Sequence, residues 1–168
     1  PKAGGQNYLQ RLSRGGHWQA PAVTRAGEAD EAALSQILDA VAQSDLPGDV
    51  KTRLQQGADD ARKNTLRLAV ERLGGPTGET NENRWHMPAT IALYGGDLAQ
   101  SLAVLIPVAA AGGRLSVGKA HPLAAWKDRL GGLVRVSDQP VADDASHVIA
   151  LTALPAEEKT ALAARDGA

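Results

Sequence analysis

Hydrophobic positions fall into a helical rhythm first, in residues 29–43. There Ala33, Leu34, Ile37, Leu38 and Val41 share one face, and Asp45-Leu46-Pro47-Gly48 ends the run. A second helix is predicted over residues 49–73, where Val50, Leu54, Ala58 and Ala61 lead into Leu66, Ala69, Val70 and Leu73. Gly57 lies inside it and costs about 1 kcal/mol relative to alanine. Two such helices joined by a short turn predict an antiparallel hairpin.

The rhythm then changes to short apolar runs separated by paired glycines. Residues 89–94 form a run of strand formers stopped by Gly95-Gly96, and residues 98–111 have helix composition and are closed by Gly112-Gly113. Pro107 inside that helix predicts a kink. Residues 114–117 form a second strand. Turns this tight require the two strands to be parallel, joined by a right-handed crossover. His121-Pro122 opens a helix to Leu130, residues 133–136 form a third strand, and a polar connection over 137–146 leads to a fourth at 147–151. Residues 155–165 form a last helix, with Glu157 and Glu158 in its first turn and Gly167 as its cap.

The fold class is therefore α/β: a partial Rossmann-like parallel sheet of about four strands, preceded by a two-helix hairpin. Residues 1–27 form a tail and linker, 28–81 the hairpin and a connector, and 82–168 the partial Rossmann-like domain. In the Rossmann order the third, second, first and fourth strands lie side by side. A fifth strand is missing from the outer edge of the fourth. The run Val148-Ile149-Ala150-Leu151 suits burial on both faces, so its unpaired edge predicts self-association.

Composition narrows the function classes. A length of 168 residues suits one domain, and a net charge of −1 from 18 basic and 19 acidic residues gives no footprint for nucleic acid. The absence of cysteine excludes disulfides, thiolate metal sites and a cysteine nucleophile. No run approaches the roughly 18 apolar residues of a membrane span. The chain begins with Pro1 and reads as a fragment of a longer polypeptide.

Candidate chemistry is sparse. Gly95-Gly96 before a helix invites a phosphate, but the spacing is not G-x-G-x-x-G, and Asp97 places a carboxylate where phosphate oxygens would approach. Asp97 reads as a helix N-cap. His17, His86, His121 and His147 share no metal-ligand spacing. Asp143-Asp144 and Glu157-Glu158 are sequence neighbours, which do not face each other across a substrate, and Ser116, Ser137 and Ser146 lack a nucleophile-elbow setting. No catalytic, cofactor-binding or metal-binding residue emerges.

The N-terminal residues have no helical or strand period beyond an alternation through Tyr8, Leu9 and Leu12, followed by a linker over 13–27 that Trp18 anchors. Pro1-Lys2-Ala3-Gly4-Gly5, with Tyr8-Leu9 and Arg11-Leu12, resembles the end of the glutamate semialdehyde dehydrogenase domain of proline utilization A, the bifunctional bacterial enzyme of proline catabolism. Gly75-Pro76-Thr77-Gly78-Glu79-Thr80-Asn81 resembles a second stretch of that family's longer members, and the similarity extends to the closing residues 163–167. Gln6 departs from the family's usual proline, and Gly74 from a proline of some members.

The resemblance implies a non-catalytic C-terminal portion with an aldehyde-dehydrogenase-like Rossmann domain. This portion covers the upstream dehydrogenase domain and helps close the substrate-channelling cavity. It places Lys2, Gly4 and Gly5 near the parent's aldehyde substrate, and makes Gly75, Pro76, Thr77, Gly78, Glu79 and Asn81 a connector. FAD and NAD belong to the parent, upstream of this chain. The implied location is cytoplasmic, with any attachment of the parent to the inner membrane made by its other regions. An autonomous small α/β nucleotide-binding enzyme and an oligomerisation module are the alternatives.

Overall fold

The computed structural model describes residues 23–24, 29–65, 70–73, 81–84, 90–139, 141 and 145–164. Two helices come first, α1 (Glu31–Ala42) and α2 (Gly48–Asn64). Asp30 caps α1 by accepting a hydrogen bond from the Ala33 N–H at 3.1 Å. The helices run antiparallel, because contacts join opposite ends. Arg62 near the end of α2 pairs with Glu31 at the start of α1 at 3.0 Å, and Lys51 in the first turn of α2 donates to the carbonyls of Ala42 (2.9 Å) and Ser44 (2.7 Å). A cation on those terminal carbonyls also complements the α1 dipole.

A four-stranded parallel sheet forms the centre: β4 (Thr90–Tyr94), β5 (Arg114–Gly118), β6 (Val134–Ser137) and β7 (His147–Ala150), in the spatial order β6-β5-β4-β7. This is the 3-2-1-4 order expected of the Rossmann half. Helix α3 (Leu98–Ala110) connects β4 to β5. A 3-10 helix (Pro122–Trp126), the short α4 (Lys127–Leu130) and a second 3-10 turn (Gly131–Leu133) connect β5 to β6. The connection from β6 returns across the sheet to its other edge, so the winding reverses between β4 and β7. After β7 the chain ends its described course in α5 (Ala156–Ala163).

The two sheet faces differ in their cover. Ile91, Leu93, Leu115, Val117 and Val134 pack against Leu102, Leu105 and Ile106 of α3, and Leu34, Ile37 and Leu54 of the hairpin continue the same core. Helix α3 therefore lies between sheet and hairpin. Its sequence carries no charged side chain, and most of it is buried apart from a stripe at Gln100, Ala103 and Pro107. Ser101, fully buried within it, donates to the Asp97 carbonyl at 2.6 Å and is satisfied locally. The opposite sheet face is thinner: Ala92 packs with Val141 and Ala145, and with the half-buried Val148, Leu154 and Leu162. The polar connection after β6 thus contributes two buried apolar side chains.

Helix α3 ends where Gly112 takes a positive φ of 83°. The Gly112 N–H reaches the Ala109 carbonyl and the Gly113 N–H the Val108 carbonyl, each at 2.8 Å, the two bonds of a Schellman motif. Pro107 is accommodated in the last turn of α3.

Three sequence expectations are corrected. Helix α2 stops at Asn64 rather than continuing to Leu73, and Thr65 is extended with ψ of 126°. Val70–Leu73 is a strand, β2, antiparallel to β3 (Asn81–Arg84), with Leu73 opposite Asn81 and Arg72 opposite Glu82. Val70 and Leu73 are three residues apart, which suits a helix face and not the two-residue alternation of a strand; pairing with β3 overrides that local period. Second, the stretch expected to be a linker contains β1 (Val23–Thr24), which pairs with β2. Third, β7 is not buried on both faces: Val148, Ile149 and Leu151 are half-buried and Ala150 is exposed. Among the described residues β7 pairs only with β4, and an edge strand receives cover from one side alone.

Candidate functional site

In an open parallel sheet, ligands enter at the carboxyl ends of the strands, where the connecting loops part. A cleft of about 480 Å³ lies there, between the turn after β4 (Gly95, Gly96) and the loop after β5 (Lys119, Ala120, His121). Leu93, Tyr94 and Pro122 give it apolar walls, and Asp138, directly after β6, stands at its mouth.

The loops are joined by His121. Its Nδ1 accepts from the Leu123 N–H at 3.2 Å, so in this tautomer Nε2 carries the proton, which it donates to the Gly95 carbonyl at 3.0 Å. Both ring nitrogens are engaged, which makes His121 a tie between the two loops rather than a general base. At the mouth, Lys119 Nζ lies 2.6 Å from Asp138 Oδ1, with side chains 73% and 85% exposed. The partnership holds the Asp138 carboxyl below its usual range, chiefly through the hydrogen bond from Lys119, and raises the Lys119 ammonium by the same contact.

The glycine turn does not present a phosphate seat. Gly95 and Gly96 have φ of 69° and 87°, and the chain following β7 lies directly upon them. The Leu151 N–H donates to the Tyr94 carbonyl at 2.9 Å, which extends the β4–β7 pairing past the strand. A Cβ on Gly96 would come 2.5 Å from Leu151 Cδ1, and one on Gly95 would run into the Thr152 side chain. The glycines are therefore required by this close approach and by their left-handed backbone.

Asp97 completes the closure as the N-cap of α3. Its carboxylate accepts from the Gln100 N–H at 2.8 Å, while Gln100 Oε1 accepts from the Asp97 N–H at 3.0 Å. This capping box uses the donors a pyrophosphate would need and leaves a negative charge in their place.

The residues singled out from sequence lie largely elsewhere. Lys2, Gly4, Gly5, Gly75, Pro76, Thr77, Gly78 and Glu79 fall outside the described residues; Asn81 begins β3. His147 bonds through Nδ1 to the neighbouring Ser146 hydroxyl at 3.0 Å and is far from His121 in the chain. Among the described residues no group of three His, Cys, Asp or Glu side chains could hold a metal ion.

Sequence reasoning passed over Lys119 and Asp138. Their signal was positional: each follows a strand at its carboxyl end, and strands β5 and β6 are neighbours in the sheet. Comparison of the chain with family models, with curated proteins and with solved structures yields no match.

Proposed function

We propose that this chain is a non-catalytic, Rossmann-like covering module of a proline utilization A-type bifunctional enzyme. It acts on the upstream glutamate semialdehyde dehydrogenase domain of that polypeptide, helping to close the cavity through which the intermediate passes from the flavin site to the NAD site. FAD and NAD are held by the parent, which is placed in the cytoplasm.

One observation carries the reading: the turn that a dinucleotide-binding sheet reserves for pyrophosphate is here filled by Leu151 and Thr152 and capped by Asp97. A sheet that keeps the Rossmann strand order without its phosphate seat is suited to packing rather than to hydride transfer. The resemblance of the Pro1–Gly5 and Gly75–Asn81 motifs supplies the parent.

The test is made in the polypeptide that carries the dehydrogenase domain before Pro1. Deleting residues 82–168 is expected to lengthen the lag before NADH appears from proline, while leaving oxidation of proline by an artificial electron acceptor unchanged. An unaltered lag would overturn the covering role. NADH formation by this chain alone, given glutamate semialdehyde and NAD, would favour an autonomous enzyme instead.

A further inference from the structure

A second hollow shares no lining residue with the cleft after β4 and β5, and the covering role does not account for it. It opens between the turn after α1, the first residue of α3 and the helical connection from β5 to β6, with a volume of about 420 Å³. That is within the ordinary range for small-molecule sites. Its floor is apolar. The Trp126 side chain is buried there, and Leu46 and Leu98 are half-buried against the same core. The connection is tied to α1 by the Gln36 side-chain amide, which donates to the Arg129 carbonyl at 3.2 Å.

Two opposite charges line this hollow without meeting. Arg129 holds its guanidinium over the Trp126 ring, 5.4 Å from the centroid, and Asp45 stands in the turn between α1 and α2. Both are exposed, and among the described residues neither side chain has a hydrogen-bond or ion-pair partner. A guanidinium stacked on an aromatic face keeps its N–H edge free for a planar acceptor, to which it can give two parallel bonds. The Asp45 carboxylate is acceptor only, and an ammonium is its natural partner.

A ligand that satisfies this hollow carries a carboxylate and an ammonium close together beside an apolar group. A monocarboxylate leaves Asp45 unanswered, a monoamine leaves Arg129 unanswered, and a phosphate ester brings like charge against Asp45. Within a peptide the α-amino and α-carboxyl groups are consumed in amide bonds. We propose that the hollow binds a free α-amino acid with an aliphatic side chain, its carboxylate on Arg129, its ammonium on Asp45 and its side chain on the floor formed by Trp126, Leu46 and Leu98. The proposal goes beyond the covering role and does not depend on it.

Titration of the chain with leucine, followed by amide NMR, tests this. Leucine is expected to saturate one site with a dissociation constant of about 1 mM and to shift the amides of residues 43–46 and 125–129. Leucinamide lacks the carboxylate, isocaproate the ammonium and glycine the side chain; each is expected to bind about fivefold more weakly or worse. The variants should match the ligand groups. Arg129→Gln is expected to weaken leucine by about fivefold and leave leucinamide unchanged, and Asp45→Asn to weaken leucine equally and leave isocaproate unchanged. Both side chains are exposed, so an unchanged circular dichroism spectrum and melting temperature confirm that the variants fold. Leucine that fails to saturate by about 20 mM, shifts confined to other residues, any of the three analogues binding as tightly as leucine, or variants that retain full affinity for leucine would each overturn the proposal. The three analogues need no variant, so the test stands even where a substitution disturbs folding.

Discussion

The imidazole of His121 donates from Nε2 to the carbonyl of Gly95, 26 positions earlier in the chain, at 3.0 Å. That bond joins the ends of two neighbouring parallel strands across the mouth of the sheet. Because Nδ1 is simultaneously held by the Leu123 N–H, the ring has one orientation and one tautomer. His121→Ala removes both bonds and leaves the Gly95 carbonyl and Leu123 N–H to find water. A loss of about 1–2 kcal/mol in urea unfolding is expected. Asn, which can reproduce only part of the geometry, should fall between; a variant as stable as the parent would show that the tie is dispensable.

Two glycines should respond to alanine with opposite signs. Gly96 has positive φ and Leu151 Cδ1 at 2.5 Å from an added Cβ, so Gly96→Ala meets backbone strain and overlap together. A cost above about 2 kcal/mol is expected. Gly57 lies exposed within α2 with nothing within 4 Å of the new methyl, so Gly57→Ala should stabilise by about 0.5–1 kcal/mol. Thermal melts of the two variants beside the parent decide the matter.

The Lys119–Asp138 pair should be visible in a titration more than in stability. Asp138 is depressed by its bond to Lys119, so the contribution of the pair is present above the ordinary carboxylate range and is lost as pH falls through the lowered value. Lys119 is raised by the same partner, and its contribution is lost only as pH rises through the raised value. The pair is therefore intact across neutral pH. Carboxyl carbon NMR of Asp138 should give a midpoint below that of an exposed aspartate, returning to the ordinary range in Lys119→Ala and at high salt. Because both side chains are solvated, the melting temperature should hardly move.

The β7 edge is the remaining test. Its four residues, His147, Val148, Ile149 and Ala150, include no lysine, glutamate or proline to discourage pairing, and among the described residues only β4 pairs with them. Light scattering is expected to show concentration-dependent association, and amide exchange at 148–151 should be faster than at Ile91, Ala92 and Leu93 in dilute solution. Ala150→Lys, on an exposed position, should suppress the association. A monomer at all concentrations, with β7 protected as well as β4, would refute a reactive edge.

The order of elements from Leu98 onward was legible because local chemistry marks each boundary. Asp97 before a run without charge, paired glycines after it, and short apolar strands are signals that act over a few residues. The parallel order β6-β5-β4-β7 followed from them, since tight turns and right-handed crossovers leave few alternatives.

At residues 70–73 the local period pointed to a helix. Val70 and Leu73 keep helical spacing, and only pairing with Asn81–Arg84, several positions away, made them β2. The site depended on distance still more. Asp97 announced a helix cap from sequence alone, because its partner Gln100 is three residues away. That Leu151 and Thr152 would lie on Gly95 and Gly96 could not be read in this way. Nor could the meeting of Lys119 with Asp138, or of His121 with Gly95. Sequence determines contacts whose partners share a turn; contacts between residues 19 to 57 positions apart exist only once the sheet has set its strands side by side.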